Sequence, residues 1–218
     1  MNLNLKLLVA TATGNARMVE ALLSEGADAN SSQGTPLLYA ARSGCAPSVS
    51  ALLDHGAKAE VKALIEAARC GNADCVAILV IRGRFSNRIK AYALSIVATF
   101  GNAEMVGQLI DDGFPMHSSS CHPLAMAAAS GHMETVKLLI ARRAPLFSHK
   151  HNALRHAFKN GYIEVGKYLL SLYTIHHLRM VNRLPDELDG MPLLRMFIYE
   201  KIARQRARRA LREKGLEI

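Results

Sequence analysis

Gly34-Thr35-Pro36-Leu37-Leu38-Tyr39-Ala40-Ala41-Arg42-Ser43-Gly44 is the stretch on which the fold turns. Its leucine stands seven residues before the closing glycine and its first alanine four before. That spacing recurs along the chain when it is aligned on Gly14, Gly44, Gly71, Gly101, Gly131 and Gly161, which lie 30, 27, 30, 30 and 30 residues apart. At minus seven stand Leu7, Leu37, Leu64, Leu94, Leu124 and Leu154; at minus four, Ala10, Ala40, Ala67, Val97, Ala127 and Ala157. Five residues after the glycine come Val19, Val49, Val76, Val106 and Val136, the sixth unit carrying Gly166 there instead. Leucine returns at plus eight in every unit: Leu22, Leu52, Leu79, Leu109, Leu139 and Leu169. A second glycine at plus twelve closes four units, at Gly26, Gly56, Gly83 and Gly113.

This register has a direct physical reading. Minus seven, minus four and minus three share one face of a short helix, and plus five, plus eight and plus nine share one face of a second. The glycine between them allows a tight reversal, and the small alanines allow close approach of neighbouring units. Pro47 falls where a second helix should begin, the position at which a missing N–H costs least. A unit of this size cannot bury its apolar face alone, so the units must stack and the end units must act as caps. Abundant Ala and Leu with few aromatics suit closely packed helices.

These residues resemble the ankyrin repeat. Thr35-Pro36-Leu37 is similar to the motif that opens the first helix of that unit. The runs Leu22-Leu23-Ser24-Glu25-Gly26-Ala27-Asp28-Ala29-Asn30 and Gly131-His132-Met133-Glu134-Thr135-Val136-Lys137-Leu138-Leu139 are ankyrin-like in the same register. The resemblance covers residues 1–173. It implies an all-α helical solenoid, to which the residues after 173 are read as adding a C-terminal capping helix, and it implies a non-enzymatic protein–protein interaction module. The usual ankyrin unit is 33 residues, whereas these are 30 and once 27; the deficit falls where a β-hairpin finger belongs, for example at Gly56-Ala57-Lys58-Ala59-Glu60-Val61-Lys62. Shortened finger loops with little or no β structure are therefore expected. Thr-Pro occurs only in the second unit, with His122-Pro123 a partial echo.

After Tyr173 the period stops, so the chain reads as an array over 1–173 and a C-terminal segment over 174–218. That segment opens with His176, His177, Pro185 and the acids Asp186, Glu187 and Asp189. From Pro192 onward Leu193, Leu194, Phe197, Ile198 and Ile202 form an apolar stripe at helical spacing, expected to pack on the sixth unit. Its second half is dense in cations: Lys201, Arg204, Arg206, Arg208, Arg209, Arg212 and Lys214 against Glu213 alone. A solvated helix face is the simplest reading of that end. Two functional readings stand beside it, an acidic protein surface and nucleic acid. No aromatic residues interleave the arginines, which counts against nucleic acid.

The net charge is +9 over 218 residues, and the array alone carries 17 basic and 12 acidic residues, so acidic partners are favoured. No stretch approaches the roughly 20 apolar residues of a membrane span, and residues 1–11 lack the features of a secretory signal. Cys45, Cys70, Cys75 and Cys121 show neither CxxC spacing nor a compact framework. Free thiols in a reducing, cytoplasmic compartment are expected. A monomer is the default expectation.

The resemblance implies that ligand contacts come from finger tips and the ends of first helices, on a concave face. Carried over by position, the contact residues are those just before the central glycines: Arg42 and Ser43, Arg69 and Cys70, Thr99 and Phe100, Lys159 and Asn160, with Ala12, Thr13, Ala129 and Ser130 completing the set. An aromatic flanked by arginines, as Phe100 is by Arg42 and Arg69, is the composition in which binding hot spots are enriched. A secondary basic patch comprises Arg82, Arg84, Arg88 and Lys90 in one loop, with Arg204, Arg208, Arg209 and Arg212 at the C-terminus.

No catalytic constellation or cofactor motif is expected. His149, His151 and His156 cluster, but Lys150 and Arg155 beside them oppose a bound cation, and no acid or cysteine is near in sequence. Cys70 and Cys75 fall on different helices and read as packing thiols. The glycines serve helix reversals rather than a phosphate loop.

Overall fold

A computed structural model describes residues 2–116, 122–146, 152–174 and 192–213. Among these residues every regular element is a helix and no strand occurs. The chain divides into two compact units, Met1–Pro123 and Leu124–Ile218.

The first unit holds four helix pairs: α1 (Leu3–Ala12) with α2 (Ala16–Ser24), α3 (Ser31–Ser43) with α4 (Ala46–Asp54), α5 (Val61–Cys70) with α6 (Ala73–Gly83), and α7 (Asn87–Phe100) with α8 (Ala103–Asp111). First helices pack in series, α1 on α3, α3 on α5, α5 on α7, and second helices do the same. The second unit holds α9 (Pro123–Ala129) with α10 (Met133–Ala141), α11 (Asn152–Lys159) with α12 (Ile163–Ser171), and then α13 (Pro192–Glu213).

The register read from the sequence is the core. No leucine at minus seven or plus eight and no valine at plus five is more than 4% exposed. All six central glycines have φ between +69° and +82°. At Gly44 the requirement is double. Its φ of +76° lies in the left-handed region, and an added Cβ would stand 2.7 Å from Asn72 Oδ1. Pro47 sits in the first turn of α4 as expected. Gly83 departs from the pattern: it remains within α6, and Arg84 takes the left-handed conformation (φ +47°) in its place.

The first two shortened fingers, around residues 26–35 and 56–60, are bridged by side chains and turns instead of strands. Asn30 Nδ2 donates to the Gly56 carbonyl at 2.9 Å, while its Oδ1 accepts from the Lys58 N–H at 2.9 Å. One carboxamide thus supplies the paired bonds that a strand's peptide group would make. Upstream of the Thr35-Pro36 start, Ser32, Gln33 and Gly34 all lie in the left-handed region, a tight reversal in which Thr35 Oγ1 donates to the Ser32 carbonyl. Such a conformation costs non-glycine residues about 1–2 kcal/mol each, and it lets the chain turn back without a hairpin.

The two ends of the chain differ. In the second unit Leu194 and Ile198 of α13 are fully buried, Ile202 is buried, and Phe197 meets Phe158 of α11 at 5.8 Å between ring centroids. The expected capping helix therefore packs on the sixth repeat. At the N-terminal end, Leu5, Val9 and Met18 are about half exposed. Met18 is the informative one. The equivalent residues Ser48, Cys75, Met105 and Val165 are all buried, so α1 and α2 present the face that a preceding repeat covers elsewhere in the stack.

Candidate partner-binding surface

A first helix ends at the central glycine, so the side chains of its last turn stand where the chain reverses and solvent reaches them. Arg42 and Arg69 occupy that turn in α3 and α5, where a cation also complements the carbonyl end of the helix. Both are exposed, as are Cys70 and Phe100, whose ring is 55% exposed at the end of α7. The three positions read from sequence as a row fall in the last turn of the first helix in three successive repeats of one compact unit, Arg42 and Arg69 two residues before the central glycine and Phe100 one before it.

Between the arginines stands a residue that sequence reasoning passed over. Glu66, one turn before Arg69, accepts from Arg69 Nε at 3.1 Å and Nη2 at 2.6 Å, and its Oε1 lies 3.7 Å from Arg42 Nε. The Arg69 hydrogen bond, opposed by burial and aided by the charges of Arg69 and Arg42, holds the Glu66 carboxyl below the usual carboxylate value. Arg69 is correspondingly raised. The surface therefore presents two guanidinium groups at one carboxylate, Arg69 held by two hydrogen bonds and Arg42 by a looser ion pair. The i, i+3 spacing of Glu66 and Arg69 was the available signal.

Other members of the expected set are already committed to the scaffold. Ser43 Oγ donates to the Thr11 carbonyl of the preceding repeat at 3.0 Å. Asn160 Nδ2 donates to the Ala129 carbonyl at 2.7 Å, likewise in the preceding repeat. Thr99 Oγ1 returns to Ser95 of its own helix at 2.8 Å. Lys159 is exposed; it and Asn160 belong to the second compact unit. Asn72, not singled out from sequence, makes a double link, donating to the carbonyls of Ala41 at 2.8 Å and Arg42 at 3.2 Å. Its recurrence as Asn15, Asn72 and Asn102 just after the central glycine was the sign of it.

The basic patches are less uniform than their sequence. Arg82 pairs with Asp54 of the preceding repeat, and Lys90 lies 5.9 Å from the centroid of the Phe114 ring. Arg84 and Arg88 are exposed. On α13, Arg204 pairs with Glu200 at 2.5 Å, while Arg208, Arg209 and Arg212 are exposed.

Among the described residues no group of three potential metal ligands comes together. His149 and His151 lie outside the described residues, as do Cys121, His176, His177 and the acids of 186–189. Cys75 is buried, and desolvation, with smaller contributions from Cys45 and Asp74, pushes its thiol up to about 11, far from a reactive thiolate. None of the described helices is long and apolar enough to cross a membrane.

A family model described as ankyrin repeats in three copies matches residues 7–90 and 94–179. The chain belongs to the ankyrin-repeat family. Among solved structures, the ankyrin repeat domain of human ASB11 is similar at a TM-score of 0.65 and 21% identity, covering 78% of this chain and 84% of that one. The ankyrin repeat domain of Bcl-3, described as a unique member of the IkappaB family, is similar at a TM-score of 0.63 and 22% identity, covering 85% and 98%. At these identities the likeness is one of fold. A search of curated protein sequences finds no match to this ankyrin chain. Ankyrin repeat domains generally serve as protein–protein interaction modules and are typically non-enzymatic.

Proposed function

We propose that this ankyrin array captures an acidic protein surface through the first-helix ends of its N-terminal unit, acting as an adaptor or inhibitor in an intracellular setting. Arg42, Arg69 and Phe100 are the energetic centre, with Cys70 and Thr99 beside them and Ser43 at the margin. The observation that carries this reading is the exposed Phe100 ring in the same first-helix last turn, two repeats and one repeat on, as two arginines gathered on Glu66. An exposed aromatic gives a partner apolar area at small entropic cost, and guanidinium groups held in place give directional contacts to carboxylates. A scaffold already ordered before association lowers the cost of binding.

The test is a pull-down from lysate of the source cells, with the full chain and with a variant carrying Arg42→Ala, Arg69→Ala and Phe100→Ala, at low and high salt. One protein retained by the full chain and lost by the variant is the expected result. Retention of nucleic acid alone, indifferent to the variant and released by salt, would overturn the proposal in favour of the Arg-rich helix.

A further inference from the structure

Between α12 and α13 runs a groove of about 610 Å³. Its floor is apolar, made by Leu170 and Phe197. Among the described residues its walls carry Lys167, Lys201, Arg204 and Arg208 against one acid, Glu200. Internal partners account for most but not all of that charge. Glu200 is bound to Arg204 and Glu164 to Lys167. The Lys201 ammonium donates to three main-chain carbonyls. Arg208 has no hydrogen bond or ion pair among the described residues and is exposed on the wall. At the same wall the Gln205 carboxamide oxygen is buried with no hydrogen-bond partner among the described residues; the terminal torsion of a glutamine is soft, so rotation of the amide presents this acceptor to an incoming N–H.

Apolar floor, cationic walls and an unused acceptor define the ligand's chemistry. We infer that this groove is a docking site for a short acidic peptide with an apolar residue at its centre. The apolar side chain covers Leu170 and Phe197, carboxylates meet Arg204 and Arg208, and a peptide N–H meets Gln205. Arg204 and Arg208 are separated by about 6 Å of helix rise, and alternate side chains of an extended peptide by about 6.6 Å, so the two repeats match. Nucleic acid fits worse. A phosphodiester chain offers nothing apolar to Leu170, and the Phe197 ring is no free stacking platform, because Phe158 lies at 5.8 Å and the Lys167 ammonium at 5.5 Å from its centroid. The site lies wholly in the C-terminal unit and does not depend on Arg42, Arg69 or Phe100.

The test uses the full chain and fluorescence anisotropy with a labelled octapeptide, Asp-Glu-Glu-Leu-Phe-Asp-Glu-Asp, its uncharged Asn/Gln counterpart, and a twelve-residue oligothymidylate. The acidic peptide should bind, the uncharged one at least about tenfold more weakly, the scale of a lost charge-assisted contact. Arg208→Glu, at an exposed position with no internal partner among the described residues, should weaken the acidic peptide by a similar factor without shifting the melting temperature. The Arg42→Ala, Arg69→Ala, Phe100→Ala variant should bind it as the parent does, which separates this site from the N-terminal one. Three results would overturn the inference: no acidic-peptide binding at roughly 1 mM, binding indifferent to Arg208→Glu, or preference for the oligonucleotide.

Discussion

The Lys201 ammonium lies 2.8 Å from the carbonyl oxygen of Tyr173. It also donates to Ser171 at 3.0 Å and to Leu170, so one side chain of α13 gathers three carbonyls at and just beyond the C-terminus of α12. Burial pulls Lys201 below the ordinary lysine value, yet three acceptors favour the charged form. Lys201→Met keeps the aliphatic stem and removes every donor. Urea denaturation should show a loss of about 1–3 kcal/mol, the cost of stranding partly buried carbonyls. An unchanged midpoint would mean that α13 is held by its apolar stripe alone.

Gly44 and Gly56 have nearly the same φ, +76° and +82°, but different surroundings. A Cβ on Gly56 meets nothing within 4 Å, whereas one on Gly44 meets Asn72, whose amide is tied to Ala41 and Arg42. Gly56→Ala should cost about 1–2 kcal/mol, the left-handed penalty by itself. Gly44→Ala should cost more, because Asn72 must also give up its cross-repeat bonds. Asn72→Ala in the Gly44→Ala background should recover part of the excess. Thermal melts of the four proteins provide the comparison.

The core was legible because burial of one helix face forces a period, and leucines at minus seven and plus eight reveal it from composition alone. The connections were legible only as too short for a finger; nothing in the sequence marked Asn30 as the residue that bridges them, since an asparagine in a loop ordinarily satisfies its own turn. Lys201 read as one cation in a basic run. It continues the inward row Leu194, Ile198, Lys201, Gln205 at helical spacing, a signal masked by its charge. The expected surface was found exposed at Arg42, Arg69, Cys70 and Phe100. Periodicity could not show that Ser43 and Asn160 reach back to the repeat before them, because a cross-repeat bond depends on how neighbouring units sit.

Met18 and Met105 occupy the same register position in the first and fourth repeats, 43% and 1% exposed respectively. Identical chemistry at equivalent sites isolates the effect of stacking. Met105→Ala should destabilise by about 2–5 kcal/mol, as a buried methionine does, while Met18→Ala should change stability by about 0.5 kcal/mol or less. Equal costs in denaturant titrations would show that a second molecule covers the N-terminal face in solution.

His156 on α11 is held below the ordinary histidine value of 6.5, first by burial and then by the charges of Arg155 and Lys159. In the window between that lowered value and 6.5 the unfolded chain binds the proton and the folded chain does not, so stability falls as the solution is acidified through it. Above the window the group is neutral in both states and contributes nothing. His156→Met, the residue found at the equivalent position 126, should flatten this part of the pH–stability profile and leave neutral pH unaffected. A profile of unchanged slope would assign the acid sensitivity to other histidines.

Glu66 restrains the two guanidinium groups that the proposed surface offers to its partner, and it cancels one of their charges. Glu66→Gln removes the cancellation and loosens Arg42 and Arg69 while keeping the side-chain volume. Long-range attraction toward an acidic partner then rises, and with it the association rate and its dependence on salt. The fixed geometry is lost at the same time, so the dissociation rate should rise too. Surface plasmon resonance against the captured partner reads the two constants separately. Faster association and faster dissociation together are expected; slower association would mean that the partner presents a base to Glu66 rather than acids to the arginines.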